Sequence, residues 1–224
     1  MARVSYLLRV SIDDRPGSLG QLAVALGGVG ADIISLEVID RGEGFAVDDI
    51  VVDLPFGSLP DTLITAAASA GARVDSVRPY AGVLDTHREL ELVDHVATAR
   101  GDRLQTLVDD APEVLRASWA TVVSRTDSGA TVTVCGSPGA PETPLERADW
   151  LPLAEAVPID PHDAGVPQTW RDSDTRLVAA PLDGSAHRAL LLGRVGGPDF
   201  RPAEVARLGY LIGIIGSIGQ RDEA

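Results

Sequence analysis

At 224 residues, 45% apolar and only 4% aromatic, the chain is long enough for two modest domains with aliphatic cores. Its net charge of −14 reflects 33 acidic against 19 basic residues, and every basic residue is Arg, which excludes a Walker-type phosphate loop, a pyridoxal Schiff base and any catalytic Lys, and makes nucleic acid and anionic membranes poor partners. The single cysteine, Cys135, excludes an internal disulfide; with no signal-like start, and no apolar stretch of membrane-spanning length (the nearest is Leu208 to Ile218), the expectation is a cytoplasmic protein that does not engage membranes.

Ser5 to Ile12 alternates as a strand. Asp13, Asp14 and Arg15 are polar and Pro16-Gly17 is a turn signal, after which Leu19, Leu22, Ala23, Leu26 and Val29 recur at helical spacing. The helix is therefore expected to open at about Gly17 and to end at Gly27, Gly28 and Gly30. Ile33 to Asp40 reads as a second strand, Arg41 to Gly44 as a hairpin turn, and Phe45 to Leu54 as a third strand. Leu59 to Ala70 reads as an alanine-rich helix ended by Gly71, and Arg73 to Pro79 as a fourth strand. The order βαββαβ is that of a split βαβ, or ferredoxin-like, unit. The first helix opens with no large side chain at Gly17 and Ser18, so backbone N–H groups at its positive end offer a seat for a carboxylate. Asp14 could instead cap the turn, and Asp32 could lie in a solvated turn.

Residues 5 to 80 resemble an ACT domain in the order of elements, in D-R-P-G-S-L after the first strand, and in G-A-D-I-I-S at the end of the helix. The resemblance implies a small regulatory module, paired side by side with another copy, that binds an amino acid or similar effector. It places the ligand-binding residues at Asp14, Arg15, Pro16, Gly17, Ser18 and Leu19 of one copy and at Asp32 of a neighbouring copy. The amides of Gly17, Ser18 and Leu19 would hold the effector's carboxylate, and Asp14 and Asp32 would accept from its ammonium group. Amino-acid-binding members often carry Asn at the positions matching Asp14 and Asp32, so this chain departs from them at both.

Tyr80-Ala81-Gly82 closes the first region, giving expected domains at 1–82 and 83–224. Val83 to Ala99 and Arg103 to Val114 read as helices. Trp119 to Arg125 and Ala130 to Cys135 form a hairpin across Thr126 to Gly129. Gly136 to Pro144 is a Pro- and Gly-rich loop, Leu145 to Ala156 has weak helical character, and Val157 to Asp174 reads as polar and irregular. Arg176 to Leu182 and Ala189 to Val195 form a second hairpin about Asp183-Gly184-Ser185, and a terminal helix runs from about Pro202 to Gln220. On that helix Leu208, Leu211, Ile212, Ile215 and Ile218 form a stripe beside Gly209, Gly213 and Gly216. Glycines there cost about 1 kcal/mol each relative to Ala, so close packing must compensate, on the domain's own sheet or, as the preferred reading, in a dimer interface.

Residues 85 to 221 resemble a GAF domain. The likeness rests on A-T-V-V…T-V-T-V, on V-A-A-P-L-D-G…A-L-L-L-G-R-V, and above all on the ending G-G-P-D-F-R-P-A-E-V-A-R-L. It implies a sensory or dimerising α+β module with a central antiparallel sheet.

His87, His95, His162 and His187 form no set at metal-ligand spacing. Asp160, His162 and Asp163 sit in a Pro-rich loop and read as solvated, Asp48-Asp49 and Asp109-Asp110 read as exposed pairs, and Cys135 reads as a small buried residue. No nucleophile, base and orienting group come together. The sequence thus leads to a non-catalytic regulatory protein of α+β class with no cofactor or metal. It would bind a small-molecule effector, an amino acid by the ACT resemblance, and act as a homodimer. The competing reading is an interaction module with degenerate pockets.

Overall fold

The computed structural model describes residues 3–42, 44–80, 88–182 and 185–219. It divides into two compact units, residues 1–84 and 85–224.

The first unit runs β1 (Arg3–Asp13), α1 (Ser18–Gly28), β2 (Asp32–Gly42), β3 (Phe45–Pro55), α2 (Asp61–Ser69) and β4 (Arg73–Pro79). Its four strands form an antiparallel sheet in the order β2-β3-β1-β4. Alternation decides which side of each strand meets the helices. Leu8, Val10 and Ile12 of β1 and Ala46, Ile50, Val52 and Leu54 of β3 pack against Leu22 and Leu26 of α1 and Leu63, Ala66 and Ala67 of α2. Strand β2 lies on the border of the sheet. Its register against β3 shifts twice, between Ile33 and Ser35 and between Val38 and Asp40, while Leu36 and Val38 stay about half exposed. The residues for the β2–β3 turn are described except Glu43; Gly44 takes the positive φ of 82° that closes it.

The expectation of an exposed Asp48-Asp49 pair is wrong, since each residue is only 1% exposed. Strand β3 is paired on one side with β1 and on the other with β2, and its side chains alternate between the two faces of the sheet. Asp49 points away from the helices. It lies opposite Arg9, which grips it through two hydrogen bonds, Nε to Oδ1 at 2.7 Å and Nη2 to Oδ2 at 2.8 Å. Asp48 has the parity of Ala46 and Ile50, so its carboxylate points to the helix side, between Val10 of β1 and Val38 of β2.

The second unit contains α3 (Arg88–Thr98), α4 (Arg103–Val114), β5 (Trp119–Arg125), β6 (Thr131–Gly136), β7 (Val157–Ile159), α5 (Gln168–Asp172), β8 (Thr175–Leu182), β9 (Ser185–Val195) and α6 (Pro202–Gly219). The strands form an antiparallel sheet ordered β6-β5-β9-β8-β7. Asp102 caps α4 by accepting from the amides of Leu104 and Gln105 at 2.9 and 3.2 Å. The helix expected from Val83 is described from Arg88 onward; Val83 to His87 lie outside the described residues, as do Ala81-Gly82 and the turn positions Asp183-Gly184.

One face of this sheet packs on Leu92 and Val96 of α3, Leu107 and Val108 of α4, and Leu208, Leu211, Ile212 and Ile215 of α6. The apolar stripe of α6 is thus spent inside its own unit, and close packing is visible at Gly209, where an added Cβ would lie 3.2 Å from that of Ala156. The ending that carried the family likeness is held by Arg194, buried on β9. It donates to the carbonyls of Arg116 and Pro198 at 3.0 and 3.2 Å and to Glu204 at 2.9 Å, and its guanidinium sits 3.9 Å from the centre of the Phe200 ring.

The opposite face corrects two expectations. Leu145 to Ala156 forms no helix, and Val157 to Asp174, read as polar and irregular, includes β7 and α5. Leu145, Leu151, Leu153, Ile159, Val166 and Trp170 from these stretches pack with Trp119, Val123, Leu177 and Leu191 of the strands. A sheet buried on one side only would leave this second apolar face in water, and an irregular segment rich in Pro covers it one side chain at a time.

Candidate functional site

The loop between β1 and α1 follows from a few local rules. Pro16 brings no N–H, and Gly17 caps α1 with a φ of 96°, a conformation that side chains with a Cβ resist. Nothing lies within 4 Å of where a Cβ on Gly17 would be, so the strain there is purely conformational. Gly17→Ala is therefore expected to cost about 1 kcal/mol, read as a lower midpoint in urea denaturation with an unchanged slope.

The loop's amides are disposed as follows. Asp14 donates to the Gly44 carbonyl at 3.1 Å, Arg15 to the Asp13 carbonyl at 2.9 Å, and Ser18 to the Arg15 carbonyl at 3.2 Å. Gln21 is the first to donate back into the helix, to Gly17 at 3.0 Å. Among the described residues, the amides of Gly17 and Leu19 have no acceptor. Of the three amides expected to bind an anion, Ser18 is thus occupied within the chain while Gly17 and Leu19 stand open at the helix N-terminus. Both residues are exposed, and Arg15 lies on the surface in a loose 3.5 Å pair with Asp13.

The sequence-derived site residues are only partly brought together. Asp14, Arg15, Pro16, Gly17, Ser18 and Leu19 are contiguous at the start of α1. Asp32 begins β2, beyond the far end of that eleven-residue helix, a span of about 16 Å. It is exposed there and paired with Arg3 at 3.2 Å. Within one copy Asp32 cannot share a small ligand with the loop.

One residue near this loop escaped the sequence reading as a site residue. The Asp48 carboxylate is buried, and neither oxygen has a hydrogen-bond partner. Burial raises its pKa above the ordinary carboxylate value, the Arg41 cation opposes that, and the negative charges of Asp14 and Asp49 add to it. Asp14, in the loop, is therefore close enough to act on Asp48. The signal was legible in F-A-V-D-D-I-V-V-D-L, where Asp48 falls on the apolar parity of Ala46, Ile50 and Val52.

The second unit offers less for chemistry. Trp119 and Trp170 meet edge to face at 4.9 Å on one face of the sheet, and Gly193 is the residue whose lack of a side chain admits the Trp119 ring. A cleft of about 530 Å3 lies beside α6, lined by Ala156, Pro158, Phe200, Val205 and Tyr210 with Glu155 at its border. Cys135 is half-buried, and its thiol pKa is raised, chiefly by burial. Among the described residues no group of His, Cys, Asp or Glu could hold a metal ion. Within the loop, the amide of His162 donates to Asp160 Oδ1 at 2.8 Å, as in an Asx turn. No described helix is long and apolar enough to cross a membrane.

No known protein family's model matches the chain, and no curated protein matches it. Solved structures with some likeness include the GAF domain of the cyanobacteriochrome TePixJ, 20% identical over 56% of this chain and 93% of that one at a TM-score of 0.42. The chromophore-binding domain of a Stigmatella aurantiaca bacteriophytochrome is 10% identical, over 96% and 94% of the two chains, at a TM-score of 0.46. A protein from Galdieria sulphuraria of unknown role is 13% identical, over 99% and 95%, at a TM-score of 0.33.

Proposed function

We propose that the chain is a non-catalytic regulatory protein whose first unit is an ACT-like, ferredoxin-like module that binds an amino-acid effector. The observation that carries this reading is the pair of open amides, Gly17 and Leu19, at the N-terminus of α1. They present two donors and the positive end of a helix to a carboxylate. The βαββαβ order and the sheet order β2-β3-β1-β4 support the assignment of the module. A second copy would supply Asp32, which the geometry of one copy keeps out of reach. The half-exposed Leu36 and Val38 on border strand β2, and Leu19 itself, give such a copy an apolar surface to cover. Effector held between two copies would favour one arrangement of the pair over another.

The second unit is read as GAF-like, on its motifs, its antiparallel sheet and its flanking helices. Dimerisation suits it better than sensing a second ligand, because Trp119 and Trp170 fill one sheet face and three helices pack on the other. The same filled face favours, for this unit, the alternative of a structural or protein-interaction module.

A thermal-shift screen of the full chain against each protein amino acid at millimolar concentration tests the proposal. At least one is expected to raise the midpoint, since a ligand at a hundred times its Kd adds about 2.7 kcal/mol to stability. Absence of a shift with every amino acid would overturn the effector reading. Light scattering that shows a monomer both with and without the stabilising amino acid would overturn the two-copy site.

A further inference from the structure

Both faces of the second unit's sheet are covered by apolar side chains, but its border at β7 is not closed in the same way. Strand β7 is the last of the sheet and has only three residues, Val157–Ile159. The chain that leads into it shares a cleft of about 530 Å3 with the first half of α6. That volume is in the range that small molecules occupy. The cleft is hollow because the residues along it are small: Ala156 next to the strand, and Ala206 and Gly209 on the helix. Pro158 stands in the middle of β7 and has no N–H. A peptide laid along this border therefore finds no regular ladder to extend, which leaves a small molecule as the occupant.

The lining also sets the charge of that molecule. Its only polar side chains are the carboxylate of Glu155 and the hydroxyl of Tyr210. Glu155 is exposed and, among the described residues, has no hydrogen bond or ion pair. No Arg lines the cleft. The guanidinium of Arg194 is engaged elsewhere, over the Phe200 ring at 3.9 Å and with Glu204 at 2.9 Å. Phe200 thus already carries a cation and adds apolar area to the cleft, while the exposed Tyr210 ring remains available for a cation–π contact. An anion would meet the charge of Glu155, and a neutral molecule would leave it unused. The net charge of −14 further raises the concentration of cations at the surface.

We propose that the cleft between the β7 border and α6 binds a small organic cation. Its apolar body lies against Phe200, Val205 and Ala206, and its ammonium group is served by the Glu155 carboxylate and the Tyr210 ring. The site belongs to the second unit alone, so it stands or falls independently of the effector reading for the first.

The test titrates the isotope-labelled full chain with phenethylamine and follows the backbone amides of Glu155 to Val157 and of Val205 to Tyr210 by NMR. Saturable shifts are expected in both segments at millimolar concentration or below. Phenylpropionate and phenethyl alcohol carry the same body with a carboxylate or a hydroxyl in place of the ammonium group, and each is expected to bind at least about tenfold more weakly. Glu155→Gln should weaken phenethylamine about tenfold and leave phenethyl alcohol as before. Ala206→Phe, at an exposed helix position, should fill the cleft and abolish the shifts with little change in the urea midpoint. Reading only these amides keeps any binding at the first unit's loop out of the result. The proposal is overturned if phenethylamine gives no saturable shift there, if phenylpropionate binds as tightly, or if the shifts persist undiminished in Ala206→Phe. Unchanged phenethylamine affinity in Glu155→Gln would remove Glu155 from the site and the charge preference with it.

Discussion

Asp49→Ala is expected to destabilise the first unit by about 3 to 5 kcal/mol, the usual result of stripping one partner from a buried ion pair. The Arg9 guanidinium would keep its burial and lose two charge-assisted bonds of 2.7 and 2.8 Å. Urea denaturation of the full chain gives the size of the loss, and hydrogen exchange of the β1 and β3 peptides assigns it to this unit. Replacing the pair together, Arg9→Met with Asp49→Leu, is expected to restore most of the stability, because a buried ion pair can be exchanged for apolar side chains of similar volume at little cost. A loss below about 1 kcal/mol for Asp49→Ala is the behaviour of a solvated pair and would contradict the burial described here.

The neighbouring residue is expected to behave in the opposite sense. Asp48→Val should stabilise the protein at pH 7 by about 2 kcal/mol, because it removes a carboxylate that has no partner and fills the space between Val10 and Val38. For a unit of this size the gain corresponds to a rise of about 10 °C in the calorimetric midpoint. The pH dependence follows from the direction of the shift. The folded chain holds the Asp48 proton more tightly than the unfolded chain, whose value is near the ordinary 3.8. Stability therefore falls as pH rises from the unfolded value through the folded one, and the penalty is complete above it. The benefit of Asp48→Val should thus be full at neutral pH and shrink as pH approaches 4. An equal gain at both pH values would mean that charge is not its source.

Much of the first unit could be read from its residues because each element announces itself locally. Pro16-Gly17, Gly44 and Gly71 mark turns, and all three glycines take the positive φ that such places demand. The open amides of the β1–α1 loop could be foreseen for the same reason, although the bond from Ser18 to Arg15 could not, since it depends on how tightly the turn closes. What local pattern lacks is which strand lies in the middle. Alternation shows that Asp48 and Asp49 face opposite sides; only the folded structure shows that neither side meets water. Residues 145 to 174 eluded the reading on different grounds. Leu151 and Val166 enter the core from irregular chain, and Ile159 and Trp170 from elements of only three and five residues, so no common period registers them in a helical or strand template.

The two kinks in β2 have a consequence for solubility. An unprotected sheet margin invites other chains to add strands and grow into fibrils. Here the displaced registers at Ile33/Ser35 and Val38/Asp40 leave Ser35 to Val38 as the longest unbroken run. A strand docking alongside could form a handful of bonds before the ladder fell out of step. The margin is long enough to greet one companion and too crooked to template an endless ribbon.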